Sequence, residues 1–241
     1  MRLDKAVSLA GLSRSEAKDA IKKGRVCING IIARDAAMRV EATDAVTVDS
    51  KPVDLSLHRH IMLNKPSGVI TATEDTHGER TVIDLLPREM RFKDLGPVGR
   101  LDKDVTGLVI LTTDGVLAHR LISPKHDAKK QYIAKVEGRL TQNDIDAFAA
   151  GLDLGDFIAK PAKLEIDDAG ETVSLARVFI SEGKFHQVKR MFSKVGHEVL
   201  KLKRISIAGL TLDETLADGE SRALTPDEIR LLYEAAGMEA E

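Results

Sequence analysis

The sequence predicts an α+β protein: a small α/β module followed by a larger domain on a mostly antiparallel sheet. Three observations carry this. The first 50 or so residues hold two helix-spaced apolar sets followed by a two-residue hairpin signal. From Ile61 onward, short β-rich runs alternate with turn signals, as in Val69–Ala72, Leu108–Thr112, Tyr132–Val136 and Val173–Ile180. Helical stretches lie between those runs, near Asp114–Ile122, Gln142–Gly151 and Gln187–Val195.

In the N-terminal module, Leu3, Ala6, Val7 and Ala10 follow i, i+3, i+4, i+7 spacing and predict a helix that ends at Gly11. Ser13 and Glu16 form a capping box for a second helix. That helix buries Ala17, Ala20 and Ile21 and stops at Gly24. Its outer face carries Arg14, Lys18, Lys22 and Lys23, and Arg25 follows. Val26-Cys27-Ile28 reads as a strand, Asn29-Gly30 as its turn, and Ile31–Ala33 as the return. Ala45–Val48 supplies another strand. Ser50–His60 is polar, contains Pro52 and reads as a linker, which divides the chain at residues 1–58 and 59–241.

Bulk properties exclude several classes. Hydrophobic residues are 43% and charged residues 31%, an ordinary globular balance. Cys27 is single and sits in an apolar run, so it reads as a small core residue, and no spacing offers a metal site. Met1 is followed by a charged, helix-like stretch, and no apolar run approaches about 18 residues, so neither a signal peptide nor a membrane span is expected. The expected compartment is the cytoplasm. The net charge of -2 hides an uneven distribution: Lys184, Lys189, Arg190, Lys194, Lys201, Lys203 and Arg204 cluster, and the last thirty or so residues are acidic. Such a patch admits a polyanionic partner or a solvated face.

Four stretches stand out in the larger domain. Lys65-Pro66-Ser67-Gly68 is a turn with a lysine attached. Gly99-Arg100-Leu101-Asp102 through Thr106-Gly107-Leu108 brackets a charged loop between glycines and feeds an apolar strand. A carboxylate there can be held rigidly yet stay reachable; spacing alone leaves Asp102 equally open to a turn-capping reading. Tyr132 opens a strand beside Lys129 and Lys130, which suits a core tyrosine or one that stacks on a base. Glu182-Gly183-Lys184-Phe185-His186-Gln187-Val188-Lys189-Arg190-Met191-Phe192 crosses from strand to helix and turns Lys189 away from the buried side.

Together and in this order, these stretches resemble the ribosomal small-subunit pseudouridine synthase family. The N-terminal motifs, Arg2-Leu3-Asp4-Lys5, Ser13–Ala17 and Gly24–Gly30, resemble the S4 RNA-binding domain. The resemblance covers nearly the whole chain. It implies Asp102 as the nucleophile, Tyr132 as the residue stacking on uracil, and Lys189 as the cation paired with the aspartate. It also implies Arg100 as the side chain that fills the space of the flipped nucleotide, with Leu101, Lys65 and Arg190 as active-site support. RNA contacts are expected from Arg2, Arg14, Lys18, Lys22, Lys23, Arg25, Lys184, Lys201 and Lys203. Val105 and Gln131 depart from the family's usual threonines.

The implied reaction exchanges an N1–C1′ bond for a C5–C1′ bond. It transfers no group and needs no outside oxidant, consistent with the lack of a dinucleotide fingerprint, P-loop or metal motif. No cofactor is expected. The resemblance implies ribosomal RNA as partner, naked or in an assembling small-subunit ribonucleoprotein, with 16S rRNA and the family's uridine-516 site as target. The residues Phe185–Phe192 look like the small-subunit form. Large-subunit rRNA and a non-catalytic rRNA-binding assembly role are the alternatives. Nothing in the sequence calls for more than a monomer.

Overall fold

The computed structural model describes residues 1–41, 43–123 and 128–239. It separates into a unit spanning Met1–Leu57 and a larger one beginning at His58.

The first unit runs α1 (Leu3–Ser8), α2 (Arg14–Lys22), β1 (Val26–Ile28), β2 (Ile31–Ile32), β3 (Val46–Val48) and β4 (Lys51–Pro52). Both halves of the capping box form: the Ser13 side chain accepts from the Glu16 N–H, and Glu16 accepts from the Ser13 N–H. Gly24 follows α2 at φ +73, where a Cβ would be strained. Asn29 and Gly30 both have positive φ, as a type I′ hairpin turn requires. The four strands pair antiparallel in the order β2-β1-β3-β4, and Leu3, Val7, Ala17, Ile21, Val26 and Val46 close the core.

Two expectations change here. The Ser50–His60 segment is not a free linker. Lys51-Pro52 pairs with β3, and Val53 and Leu55 are buried in the first core. Pro52 is tolerated because β4 is an edge strand whose missing N–H faces no partner. Cys27 is half-buried rather than a core residue, since the pleat turns Val26 inward instead.

The larger unit continues with β5 (His60–Lys65), β6 (Gly96–Pro97), β7 (Thr106–Thr112), α3 (Gly115–Ile122), β8 (Lys130–Glu137), α4 (Gln142–Ala150), β9 (Leu152–Asp153) and β10 (Ile158–Ala159). It ends with β11 (Lys163–Ala169), β12 (Val173–Ile180), α5 (Gln187–Lys194), β13 (Val199–Ile207), β14 (Leu210–Thr211), β15 (Ser221–Ala223) and α6 (Pro226–Ala235). The main sheet has the order β11-β12-β8-β13-β7-β5-β15, with β14 on β13 and β6 on β7. All its pairs are antiparallel except β7–β13.

The continuous apolar run Leu108–Leu111 reflects burial on both faces. Val109 and Leu111 join Ile61 and Leu63 on one face, under Phe148 of α4 and Phe192 of α5. Leu108 and Ile110 join Met62 on the other, under Leu117 of α3 and Leu232 of α6. A fully buried side chain of this size contributes about 1.5–3 kcal/mol. Exposed ion pairs such as Lys163–Glu165 contribute up to about 1 kcal/mol. The two cores therefore hold the sheet.

Val69–Ala72 does not form a strand; only Ile70 makes an isolated bridge, to Thr81. β11 and β13 were not foreseen, because acidic residues interrupt the first and lysines the second. β13 alternates: Leu202 and Arg204 are buried, while Lys201 is exposed and Lys203 half-buried. Arg204, grouped with the surface cations on sequence, is 1% exposed and donates Nε–H to the Leu108 carbonyl at 2.8 Å.

A buried polar chain ties α6 to the sheet. Tyr233 donates its hydroxyl to Asp114 Oδ2 at 2.6 Å, while Asp114 Oδ1 caps α3 through the Val116 and Leu117 N–H groups. His60 Nδ1 meets Thr112 Oγ1 at 2.9 Å and packs edge-on to Tyr233. Burial, with His58 nearby, holds the His60 imidazole down at about 4, below its ordinary 6.5. Between those values the unfolded chain binds a proton that the folded chain refuses. Stability is then complete above about pH 6.5 and falls as pH drops toward 4, by up to about 2 kcal/mol once solvent screening is allowed for. Urea unfolding at pH 7 and 4.5 reads this directly. His60→Gln should flatten the difference, and an equally steep loss in that variant would remove His60 as its source.

Candidate active site

The loop carrying Asp102 joins β6 to β7, and three of its backbone carbonyls anchor it to one lysine. Lys65, at the end of β5, is fully buried. Its Nζ donates to the carbonyls of Pro66, Asp102 and Lys103 at 3.1 Å each and of Val105 at 2.7 Å. Burial holds the Lys65 ammonium down at about 8, although Asp104 and Asp102 favour its charged form. Thr71 clamps the loop from the side: its hydroxyl donates to the Leu101 carbonyl at 2.8 Å and accepts from the Leu101 N–H at 3.2 Å. The Gly68 N–H donates to the Lys103 carbonyl at 2.8 Å.

The loop leaves through Gly107, where β7 is squeezed between β5 and β13. Gly107 has φ +100, and a Cβ there would stand 2.2 Å from the Arg204 carbonyl oxygen. Only glycine fits that position.

Asp102, Arg100, Leu101, Tyr132, Lys184 and Lys189 line one open pocket. The Asp102 side chain is 29% exposed, reachable yet fixed by its own backbone. Tyr132 stands in β8, 7% exposed, opposite Val178 and Arg204 in the sheet register. Lys65 lies beneath the pocket, under the loop.

Two side chains approach the Asp102 carboxylate, and the nearer one was not foreseen. Lys189, the expected partner, reaches Asp102 Oδ2 at 3.7 Å but bonds both oxygens of Asp104 at 2.7 Å. It is shared, and the closer carboxylate is Asp104. The Lys189 hydrogen bond, above all, holds the Asp104 carboxyl below its ordinary value. His186 places Nε2 3.5 Å from Asp102 Oδ1. The Asp102-Lys103-Asp104 spacing was the available sign of a second carboxylate. His186 had only its place in the charged cluster to mark it.

Arg190, expected to support the site, turns away from it. Its guanidinium bonds the Leu154 carbonyl at 2.8 Å, pairs with Asp156 and lies 5.0 Å from the Phe157 ring centroid. Lys189 lines the pocket, whereas Arg190, about 100° further round α5, is held toward Leu154 and Asp156. Lys201 and Lys203 are also outside the pocket lining. The turn before α5 is shaped by Gln187. Its Nε2 donates to Glu182 at 2.8 Å and its Oε1 accepts from the Lys184 N–H at 3.0 Å.

In the first unit, Arg2, Arg14 and Lys18 line one depression together with Lys5 and Asp4. Arg25 is bonded to Asp49, and Lys23 pairs with Asp19 at 2.7 Å. Lys22 is exposed. Among the described residues, no group of acids, histidines and cysteine could hold a metal ion, and no helix is long and apolar enough to cross a membrane.

Residues 59–194 match the family described as RNA pseudouridylate synthase, and residues 1–46 match the S4 domain. The chain belongs to the RNA pseudouridylate synthase family. This pseudouridine synthase is 46% identical over 240 residues to the uncharacterized RNA pseudouridine synthase YtzG of Bacillus subtilis, covering 97% of this chain and 99% of that one. It is 41% identical to ribosomal small subunit pseudouridine synthase A of Escherichia coli, covering 95% and 98%. A crystal structure titled pseudouridylate synthase, 37% identical, superposes with a TM-score of 0.68 over 96% of the synthase and 99% of that chain.

Proposed function

We propose that this synthase isomerises one uridine of small-subunit ribosomal RNA, with Asp102 as the nucleophile. The carrying observation is the Asp102 carboxylate, fixed by its own main chain, in one pocket with Tyr132 and facing Lys189 and His186. The substrate reading is supported by the similarity, over nearly the full length of both chains, to an enzyme named for the small ribosomal subunit.

The target must leave the RNA stack before it can react, at a cost of a few kcal/mol. In the proposed reaction the Tyr132 ring stacks on the extruded uracil, and Arg100 enters the gap. Asp102 attacks the nucleotide as the N1–C1′ bond breaks. The detached uracil turns within the pocket, the C5–C1′ bond forms as the bond to Asp102 breaks, and the proton lost from C5 is balanced by one taken up at N1. Lys189, with its Nζ 3.7 Å from Asp102 Oδ2, supplies positive charge beside the carboxylate. The S4 unit, through Arg2, Arg14, Lys18, Lys22, Lys23 and Arg25, grips the RNA backbone, as do Lys184, Lys201 and Lys203. Such contacts position RNA without reading its sequence.

Pseudouridine mapping of both ribosomal RNAs, in cells with and without this gene, tests the reading. Loss of one small-subunit site is the expected result. Loss of a large-subunit site would overturn the substrate, and no lost site would overturn the activity on ribosomal RNA. The phosphate contacts have a separate readout. Reversing the charge of Lys184, Lys201 and Lys203 should lower the slope of log affinity against log salt by about 2–3; an unchanged slope would return them to the solvated surface.

A further inference from the structure

We propose that Phe185 and His186 form a stacking platform for the nucleobase next to the flipped uridine. The proposal rests on the RNA reading above and extends it to a neighbouring subsite. The two rings lie 3.7 Å apart and within 17° of parallel. One face of Phe185 is thus covered by His186, yet the residue remains 71% exposed and belongs to neither core of its unit. Much of the ring is therefore left to solvent.

The position of the pair selects the occupant. His186 lines the Asp102 pocket and faces Asp102 Oδ1 at 3.5 Å, so the inner ring is registered on the reacting centre. Phe185 is one stacking step further out. His186 holds the left-handed conformation at φ 50 as the N-cap of α5, a backbone that few non-glycine residues adopt. The Lys184–Gln187 hydrogen bond and the ring stack hold that turn. Arg100 and Lys184 line the same pocket. Aromatic faces beside cations along an open groove are how proteins hold single-stranded nucleic acid, because every base offers a π face and every link a phosphate. An apolar peptide would leave those cations without counter-charges.

The test uses single-stranded RNA with one uridine and 2-aminopurine placed at each flanking position in turn. With wild type, one flank should show quenched fluorescence on binding. Phe185→Leu should lose that quenching and bind about 5- to 150-fold more weakly, the range of a single base–aromatic stack. Phe185→Trp should keep both. In single-turnover conversion, Phe185→Leu should need a correspondingly higher RNA concentration for its half-maximal rate, and Phe185→Trp should not. Equal quenching and affinity in Phe185→Leu would overturn the platform and leave the proposed reaction standing. RNA that neither binds wild type nor is converted by it would overturn both. Phe185 is largely exposed, so its variants are not expected to disturb the fold.

Discussion

Asp102→Asn should lower the single-turnover rate of pseudouridine formation by at least about 10³-fold, while RNA affinity and thermal midpoint stay near wild type. Asparagine keeps the shape and hydrogen-bonding reach of the side chain but removes the carboxylate on which the proposed reaction depends. The loop does not depend on that side chain, because its anchors run through the Leu101, Asp102, Lys103 and Val105 backbone. Expressed in cells without the chromosomal gene, the variant should fail to restore the missing modification. Wild-type rates in the variant would remove Asp102 from the mechanism. A matching fall in thermal midpoint would mean that the carboxylate serves the fold instead.

Lys65→Met should act in the opposite pattern, on stability and rate together. Methionine keeps much of the buried stem but leaves the carbonyls of Pro66, Asp102, Lys103 and Val105 without their donor. Leaving buried acceptors unsatisfied costs about 1–3 kcal/mol each when nothing relaxes. The loop can turn some of them toward water, so a net loss of about 3 kcal/mol is expected. In a domain of this size that is roughly 10 °C of thermal midpoint. Loosening the loop by about 1 Å should also lower the single-turnover rate by about 10²-fold. The ammonium's depressed value, about 8, adds a second sign of the same clamp. Above about pH 8 the proton leaves, one donor and the positive charge disappear, and wild-type activity should decline. A pH profile flat to pH 10, or a stable and fully active Lys65→Met, would show that the lysine does not hold the loop.

Local signals in the sequence carried further than long-range ones. The Ser13–Glu16 capping box, the Asn29-Gly30 turn and the Asp114 start of α3 are written within three or four residues, and each formed as expected. Thr225 and Glu228 cap α6 in the same way. Val69–Ala72 misled because β-branched residues suit a strand, while Thr71 is needed as a hydrogen-bonding clamp on Leu101. β13 was hidden because its lysines resemble a surface patch, whereas the alternation of Leu202 and Arg204 is what places it in the sheet centre. The pocket residues Arg100, Leu101, Asp102 and Tyr132 were legible through motif order. The approach of His186 and the sharing of Lys189 with Asp104 were not, since the partners lie some 85 positions apart in the chain.

The anchor of the Asp102 loop reads main chain and ignores side-chain identity. Lys65 Nζ meets only carbonyl oxygens, which every amino acid supplies. Drift in the loop is therefore constrained unevenly. Lys103, whose side chain pairs with Glu79 at the surface, can be exchanged without loosening the clamp. Val105 is bound by the volume of its buried site alone. An insertion or deletion of a single residue would instead shift the loop's carbonyls out of register with the Lys65 ammonium. The loop can thus wander in composition over evolutionary time while its length stays fixed.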